Sequence, residues 1–301
     1  MQKVRQWTPV VSTERDFART IHYKPVTSTQ SGIRMDSRSE LQRFRAIPEQ
    51  TLAAWRYRVL GKGTLTLLTL PGGELVNDLG FGFALAIAEA HRVIYPAYPR
   101  ASSIEELAEG LCAILDQEGP RCVAILGASF GGAVAQVFVR RHADRVSRLI
   151  LSNTGVPMIR LALPVLVTYS IARALPWPVT SKLLSKPLLK TLDQSGADQE
   201  FWAEYLNELF TVRLTKDDAL SNILNQLDYQ RRFRFTPEDL KHWPGRVLII
   251  ESDTDVIGPR RRGALRRTYL GAKVQTFHNA GHAPMFTRPD AYLRTVREFL
   301  K

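Results

Sequence analysis

Residues 127–131 read Gly-Ala-Ser-Phe-Gly, a serine held between glycines. At ordinary glycine and serine frequencies this G-x-S-x-G spacing arises by chance in roughly one chain in ten of this length, so its setting matters more than its presence. It follows VAIL (123–126), a strand-forming run, and precedes GGAVAQVFV, whose apolar periodicity is helical. A strand–turn–helix of this kind lifts the serine hydroxyl above the edge of a sheet. Gly127 and Gly131 keep side chains out of the sharp turn, and Gly132 lets the helix lie close to the sheet. The helix N-terminus then aims N–H groups and partial positive charge at any anion forming there. This suits attack by the Ser129 hydroxyl on a carbonyl. The plainer alternative is a glycine-rich turn with a capping serine.

A serine hydroxyl needs a base to become a nucleophile, and the base needs an acid to orient it. For a serine on such a turn the acid and then the histidine follow in chain order. VLIIESDTDVIGP (247–259) ends a strand and opens a loop in which Asp255 is the last acid. His282 stands in AGHAP (280–284), just past VQTF and before the final helical pattern. Ser129, Asp255 and His282 thus each sit at a strand end, where open α/β sheets form their ligand crevice. Asp253 is the weaker alternative to Asp255, as a supporting acceptor or a residue shaping the loop. Glu251 lies within the strand body. His278 is read as packing in or at the edge of the last strand. His22, His91, His142 and His242 have no partner pattern and are read as surface or structural.

The oxyanion of such a reaction needs two donors. One is expected from the N–H of Phe130, the residue after the serine. The other is expected from the loop after LTLLTL, which reads Pro71-Gly72-Gly73-Glu74: Gly73 first, Gly72 next. Alone, the same loop reads equally well as a tight turn.

These residues need a frame. LTLLTL (65–70), RVIY (92–95), VAIL (123–126), LIL (149–151) and VLII (247–250) are short, continuous apolar runs, with VQTF (274–277) a more polar late member. Strands buried on both faces look like this, as in parallel sheets. Helical patterns alternate with them at 79–90, 104–118, 131–142, 261–270 and 291–300. That order predicts an α/β fold with a mostly parallel central sheet flanked by helices. Ahead of it, WRYRV (55–59) alternates like a half-buried strand in a hairpin-like region. The domain reading is an N-terminal extension at 1–36, a core at 37–155 and 241–301, and a helical insertion at 156–240. Leu161, Leu163, Val165, Leu166, Ile171 and Trp177 give the insertion its apolar area, most of which is expected to pack on the core.

With 301 residues, 45% of them hydrophobic, the chain is long enough to bury one large core. Its formal net charge is +12, but the arginines are spread out. Those at 260–262, 266 and 267 share a segment with Leu265, Tyr269 and Leu270, as in an amphipathic helix with a solvated basic face. Nothing resembles a zinc finger, an RNA-binding signature or a helix-turn-helix, so no nucleic-acid partner is expected. The two cysteines, Cys112 and Cys122, argue against a disulfide scaffold, and Cys112 is read as a buried small hydrophobe. MQKVRQWTPVVSTERDF has no apolar core of a secretory signal, and no run reaches the roughly 18 apolar residues of a membrane span. The expectation is a cytoplasmic protein with no stable membrane insertion, no cofactor and no metal, its oligomeric state left open.

LPGG (70–73), GASFGG (127–132), ESDTDVIGP (251–259) and AGHAPMFTRP (280–289) together resemble the serine-nucleophile branch of the α/β-hydrolase superfamily. The likeness runs over about residues 55–301, the insertion apart. It implies an eight-stranded core and a helical lid inserted before the strand that carries the acid. Ser129 would be nucleophile, Asp255 acid and His282 base. RFRAIPEQTLAAWRYRV, the PGG loop, GASFGGAVAQVF and RLILSNT also resemble maspardin-type proteins. Maspardin itself lacks a complete triad, so Asp255 and His282 favour catalysis over pure binding. Pro71 stands where many relatives carry histidine before glycine, which bears on the oxyanion geometry. Ser129 disfavours the aspartate-nucleophile relatives, epoxide hydrolases and haloalkane dehalogenases.

The function expected is hydrolysis of an apolar ester-like small molecule, a carboxylester or thioester, through an acyl-enzyme on Ser129. The alternatives are a maspardin-like non-catalytic binding protein, or the same triad used for C–C cleavage, acyl transfer or cyclisation.

Overall fold

The computed structural model describes residues 36–193 and 199–301. The expected extension at 1–36 lies outside the described residues except for Asp36. Eight strands form one sheet: β1 (Glu49–Leu52), β2 (Trp55–Leu60), β3 (Thr66–Leu70), β4 (Arg92–Ala97), β5 (Val123–Ala128), β6 (Val146–Ser152), β7 (Arg246–Ser252) and β8 (Lys273–Phe277). Their order is β1-β2-β4-β3-β5-β6-β7-β8. β1 and β2 form an antiparallel hairpin, β2 runs antiparallel to β4, and every later pairing is parallel.

The continuous apolar runs are strands because both sheet faces are covered. Leu67, Val93, Leu126, Ile150 and Ile250 point into one core, while Leu68, Ile94, Ile125, Leu149 and Ile249 point into the other. Successive side chains of a strand alternate faces, so each run serves both layers.

Helices α1 (Ser37–Arg45), α2 (Phe81–Ile87) and α10 (Pro289–Leu300) cover the first face. Helices α3 (Ile104–Glu118), α4 (Phe130–Arg141) and α9 (Pro259–Thr268) cover the second. In α3 the Ser103 hydroxyl accepts from the Glu106 N–H, and Gly119 at φ +83° ends the helix. Ile104, Leu107, Ala108, Leu111, Ile114 and Leu115 form its buried stripe, and each large side chain among them contributes about 1.5–3 kcal/mol of burial. Helix α1 was not expected. Its signals were present: Asp36 accepts from the Ser39 N–H, and Leu41 and Phe44 lie three apart and buried. Its other positions are too polar for a periodicity reading to stand out. Helix α2 is shorter than the 79–90 pattern at both ends: Gly80 caps its start and Ala88 its finish.

Between β6 and β7 the described chain is helical: α5 (Ala162–Ala174), α6 (Trp177–Asp193), α7 (Gln199–Glu208) and α8 (Lys216–Arg232), with a π-helical turn at Leu209–Arg213. Asp78, from the loop before α2, ties this segment down. It accepts from Arg213, from the Tyr205 hydroxyl at 2.7 Å and from Arg45 at 3.0 Å. Phe201 and Trp202 of α7 pack beside Phe81 of α2. The apolar residues of α5 depart from the expectation that most would pack inward. Leu163 (67% exposed), Leu166 and Ile171 face outward, while Leu161, Val165 and Trp177 are half-buried. α5 lies on α8 rather than on the sheet, so only one narrow side of it is covered. Among the described residues no helix is long and apolar enough to cross a membrane.

Candidate active site

The site begins with backbone strain. Ser129 lies at φ +50°, ψ −113°, a region that residues with a Cβ rarely enter. Glycine neighbours make the bend possible: a Cβ on Gly127 would meet the Gly131 carbonyl oxygen, and one on Gly131 would meet those of Leu70 and Pro71. Bonds from both ends hold the turn. The Ser129 N–H donates to Ser152 O at 2.9 Å, and the Thr154 hydroxyl donates to Ser129 O at 2.8 Å.

The turn brings Ser129 Oγ within 3.1 Å of His282 Nε2. His282 Nδ1 in turn lies 2.7 Å from Asp255 Oδ1. With Nδ1–H donating to the carboxylate, Nε2 is left to accept from the serine hydroxyl. Asp255 is buried, and its carboxyl is satisfied on every side. Oδ1 also accepts from the Ile257 N–H at 2.9 Å, and Oδ2 accepts from the Asn153 amide at 2.8 Å. Burial alone would raise its pKa, but His282, the Ile257 N–H and Asn153 outweigh that and hold it below the usual aspartate value. Asn153 was not singled out from the sequence. It sits one residue past β6 at φ +46°, its N–H donating to Ile250 O at 2.8 Å. A short polar residue tolerant of positive φ at a strand's C-terminal end was the available signal.

Phe130 is the first residue of α4, so its N–H has no acceptor within the helix. The Gly73 carbonyl accepts from the Asn222 amide at 2.7 Å. Phe130 and Gly73 border a 260 Å³ cavity with Ser129 and His282. Gly72 and Gly73 border a larger, 370 Å³ cavity that reaches the same serine. Leu184, Leu188, Phe210, Leu214, Met285 and Phe286 give that larger cavity apolar walls. Glu74 reaches its edge. Burial raises the Glu74 pKa, opposed by its own N–H, by His282 and by the Gly72 N–H. Among the described residues no group of His, Cys, Asp and Glu is placed to hold a metal ion.

The other candidates lie elsewhere. Asp253 shapes the loop after β7: it accepts from the Asn279 N–H at 2.8 Å and pairs with His278 Nδ1 at 2.8 Å. His278 departs from the expectation of strand packing. It lies just past β8 and is 80% exposed, because the chain turns toward Asp253 there. Glu251 is buried in β7, bonded to Arg266 and Thr276. His91 and His142 are half-buried at helix and strand ends, His242 is exposed, and His22 lies outside the described residues. Cys112 is half-buried in α3, not fully buried; Cys122 is exposed, and both are free.

A family model described as the alpha/beta hydrolase family matches residues 43–295. Among curated proteins the chain is similar to the sn-1-specific diacylglycerol lipase of Mus musculus, at 25% identity over 209 residues, covering 66% of each. It thus spans about two thirds of that relative's length. It is similar to the pimeloyl-(acyl-carrier protein) methyl ester esterase of Neisseria meningitidis, at 24% identity over 221 residues, 68% of this chain and 77% of that one. It is also similar to the 2-hydroxymuconate semialdehyde hydrolase of Pseudomonas putida, at 23% over 228 residues, 74% of each. A solved thermophilic esterase from Thermogutta terrifontis superposes with a TM-score of 0.66 at 19% identity, covering 84% of this chain and 97% of that one. At that identity the likeness carries the fold.

Proposed function

The chain belongs to the alpha/beta hydrolase family, and on that footing we propose that it is a serine hydrolase, carboxylesterase-like, cleaving an ester-like small molecule (a carboxylester or thioester) through an acyl-enzyme on Ser129. The observation that carries this reading is the unbroken hydrogen-bond chain from Ser129 Oγ through His282 to Asp255, at 3.1 Å and 2.7 Å. The relatives named above are hydrolases, which supports the class.

In the reaction His282 Nε2 takes the proton of Ser129 as Oγ bonds to the substrate carbonyl carbon. The carbonyl oxygen becomes an oxyanion, stabilised by the N–H groups of Phe130 and of Gly73, with Gly72 the alternative to Gly73. The carbonyl–leaving-group bond then breaks, and His282 returns the proton to the departing alcohol or thiol. Water repeats the sequence on the acyl-enzyme and releases the acid. Asp255, held ionised, fixes the His282 tautomer and stabilises the imidazolium.

The helical segment at 156–240 acts as the lid. Leu184, Leu188, Phe210 and Leu214 from it roof the apolar cavity, which suits the hydrophobic arm of a substrate. The two free cysteines fit a reducing, cytoplasmic compartment.

The test is Ser129→Ala assayed on p-nitrophenyl butyrate. Loss of at least ~10³-fold in kcat with an unchanged circular dichroism spectrum supports the reading. Turnover equal to the parent protein sinks the assignment of Ser129 as nucleophile; a parent that neither turns over the ester nor reacts with a fluorophosphonate sinks the enzymatic reading and leaves the maspardin-like binding role. C–C bond hydrolysis is the second reading, since the relatives include the 2-hydroxymuconate semialdehyde hydrolase. Product analysis on a vinylogous 1,5-diketone against matched esters separates the two.

A further inference from the structure

The basic face expected on α9 is not wholly solvated, and the exception adjoins the serine. Arg266 bonds to Glu251, and Arg262 Nη1 donates to Ile257 O at 3.1 Å. Arg261 instead turns inward over Gly155, where a Cβ would lie 3.1 Å from its Nε and Nη2. Its Nε is buried and has no hydrogen-bond partner. Among the described residues no carboxylate stands within ion-pair distance of it. Arg213 and Arg140, also part-buried, pair with Asp78 and Asp239; Arg148 of β6 likewise keeps a buried Nε without a partner, but it does not line the cavity at the serine. Burial pushes the Arg261 pKa down; Tyr229 and Asp255 oppose the shift from a distance, and Arg160 adds to it.

A part-buried cation without a counterion costs free energy, and one that faces a cavity is ready for an outside anion. The place it occupies says which anion. Arg261 lines the 260 Å³ cavity together with Ser129, Phe130, Gly73, Gln226 and His282. The apolar cavity shares Ser129, Gly73, Gln226 and His282 with it. A carbonyl at Ser129 therefore lies where the two cavities meet, one with apolar walls and the other lined by the guanidinium.

Resting on the serine-hydrolase reading, we infer that Arg261 is a specificity-determining residue that binds a carboxylate on one arm of the substrate, the other arm being apolar. The planar guanidinium offers two parallel N–H donors that match a carboxylate. The substrate class is then a half-ester or thioester of a dicarboxylic acid, or an equivalent carboxylate-bearing ester, rather than a neutral triglyceride-like ester. Neutral esters occupy the apolar lobe alone and leave the cation bare.

The experiment uses p-nitrophenyl hydrogen esters of glutaric, adipic and pimelic acids, each against its methyl-capped neutral counterpart. The parent protein is expected to prefer the acid at one chain length. In Arg261→Gln the ratio of kcat/KM for the acid over the capped ester falls by about 10–100-fold, mainly through KM, and Arg261→Lys restores part of it. A ratio equal to that of the parent in Arg261→Gln overturns the assignment, as does a parent without preference at every length. A second readout is independent of turnover. On Ser129→Ala protein, calorimetry compares methyl hydrogen adipate with dimethyl adipate, with and without Arg261→Gln. Loss of the anion's advantage in the double variant supports the site, and an unchanged advantage overturns it. If the parent hydrolyses none of the esters, the hydrolase reading fails while calorimetry still decides the Arg261 assignment.

Discussion

Asn153 grips Asp255 from the side that His282 leaves open: its amide donates to Oδ2 at 2.8 Å, while His282 Nδ1 faces Oδ1 at 2.7 Å. The carboxylate, carried on the loop after β7, is thus clamped between groups that follow β6 and β8. A carboxylate held at one oxygen can rotate, and the imidazole would follow it.

Replacing Asn153 with alanine removes that grip and leaves a buried oxygen without its donor. Under the serine-hydrolase reading kcat falls by roughly tenfold with KM little changed, because transition-state alignment is lost rather than substrate contact. Stability falls by about 1–3 kcal/mol, read by urea denaturation. A variant with parental kcat and stability would show that the Asn153 contact plays no part in either.

Ser129 stores strain at φ +50° that glycine would not feel. Ser129→Gly is expected to raise the unfolding free energy by about 1 kcal/mol relative to Ser129→Ala, both variants being equally unable to form the acyl-enzyme. Denaturant melts of the pair decide it. Equal stabilities would mean the turn is relaxed.

Asp78 predicts the acid limb of stability. Its side chain is 2% exposed, and although burial alone would raise its pKa, Arg213, Tyr205 and Arg45 hold it below its ordinary 3.8. A depressed carboxylate stabilises the fold fully above its unfolded pKa and ceases to do so as pH falls through the folded one. Asp78→Asn is therefore expected to cost about 3 kcal/mol at pH 7, where Arg213 and Arg45 lose their buried counterion and keep only the more exposed Glu208. The difference from the parent protein should shrink below pH 4. Thermal melts across that range check it; a gap independent of pH would assign the loss to packing.

Much of the architecture could be read along the chain because its rules are local. LTLLTL, RVIY, VAIL, LIL and VLII each became strands of the parallel sheet, since a run apolar at every position has to be buried on both faces. The pattern at 104–118 became α3 with the same bounds, through a capping serine and a terminating glycine. Helix α1 was hidden by its charged positions, and His278 was misplaced because one residue past the strand reversed its exposure.

The chain alone determined which residue types are available for chemistry and in what order: a serine at a glycine-flanked turn, an acid after a late strand, and a histidine after the last. Those follow from short-range sterics and from strand and helix periodicity. Only the tertiary structure decided the distances among them, the hold of Asn153 on Asp255, the outward turn of α5 and the inward turn of Arg261. Periodicity names the face of a helix that carries charge, but whether a given arginine meets water, a carboxylate or a cavity depends on neighbours 100 or more residues away in the chain, such as Gly155.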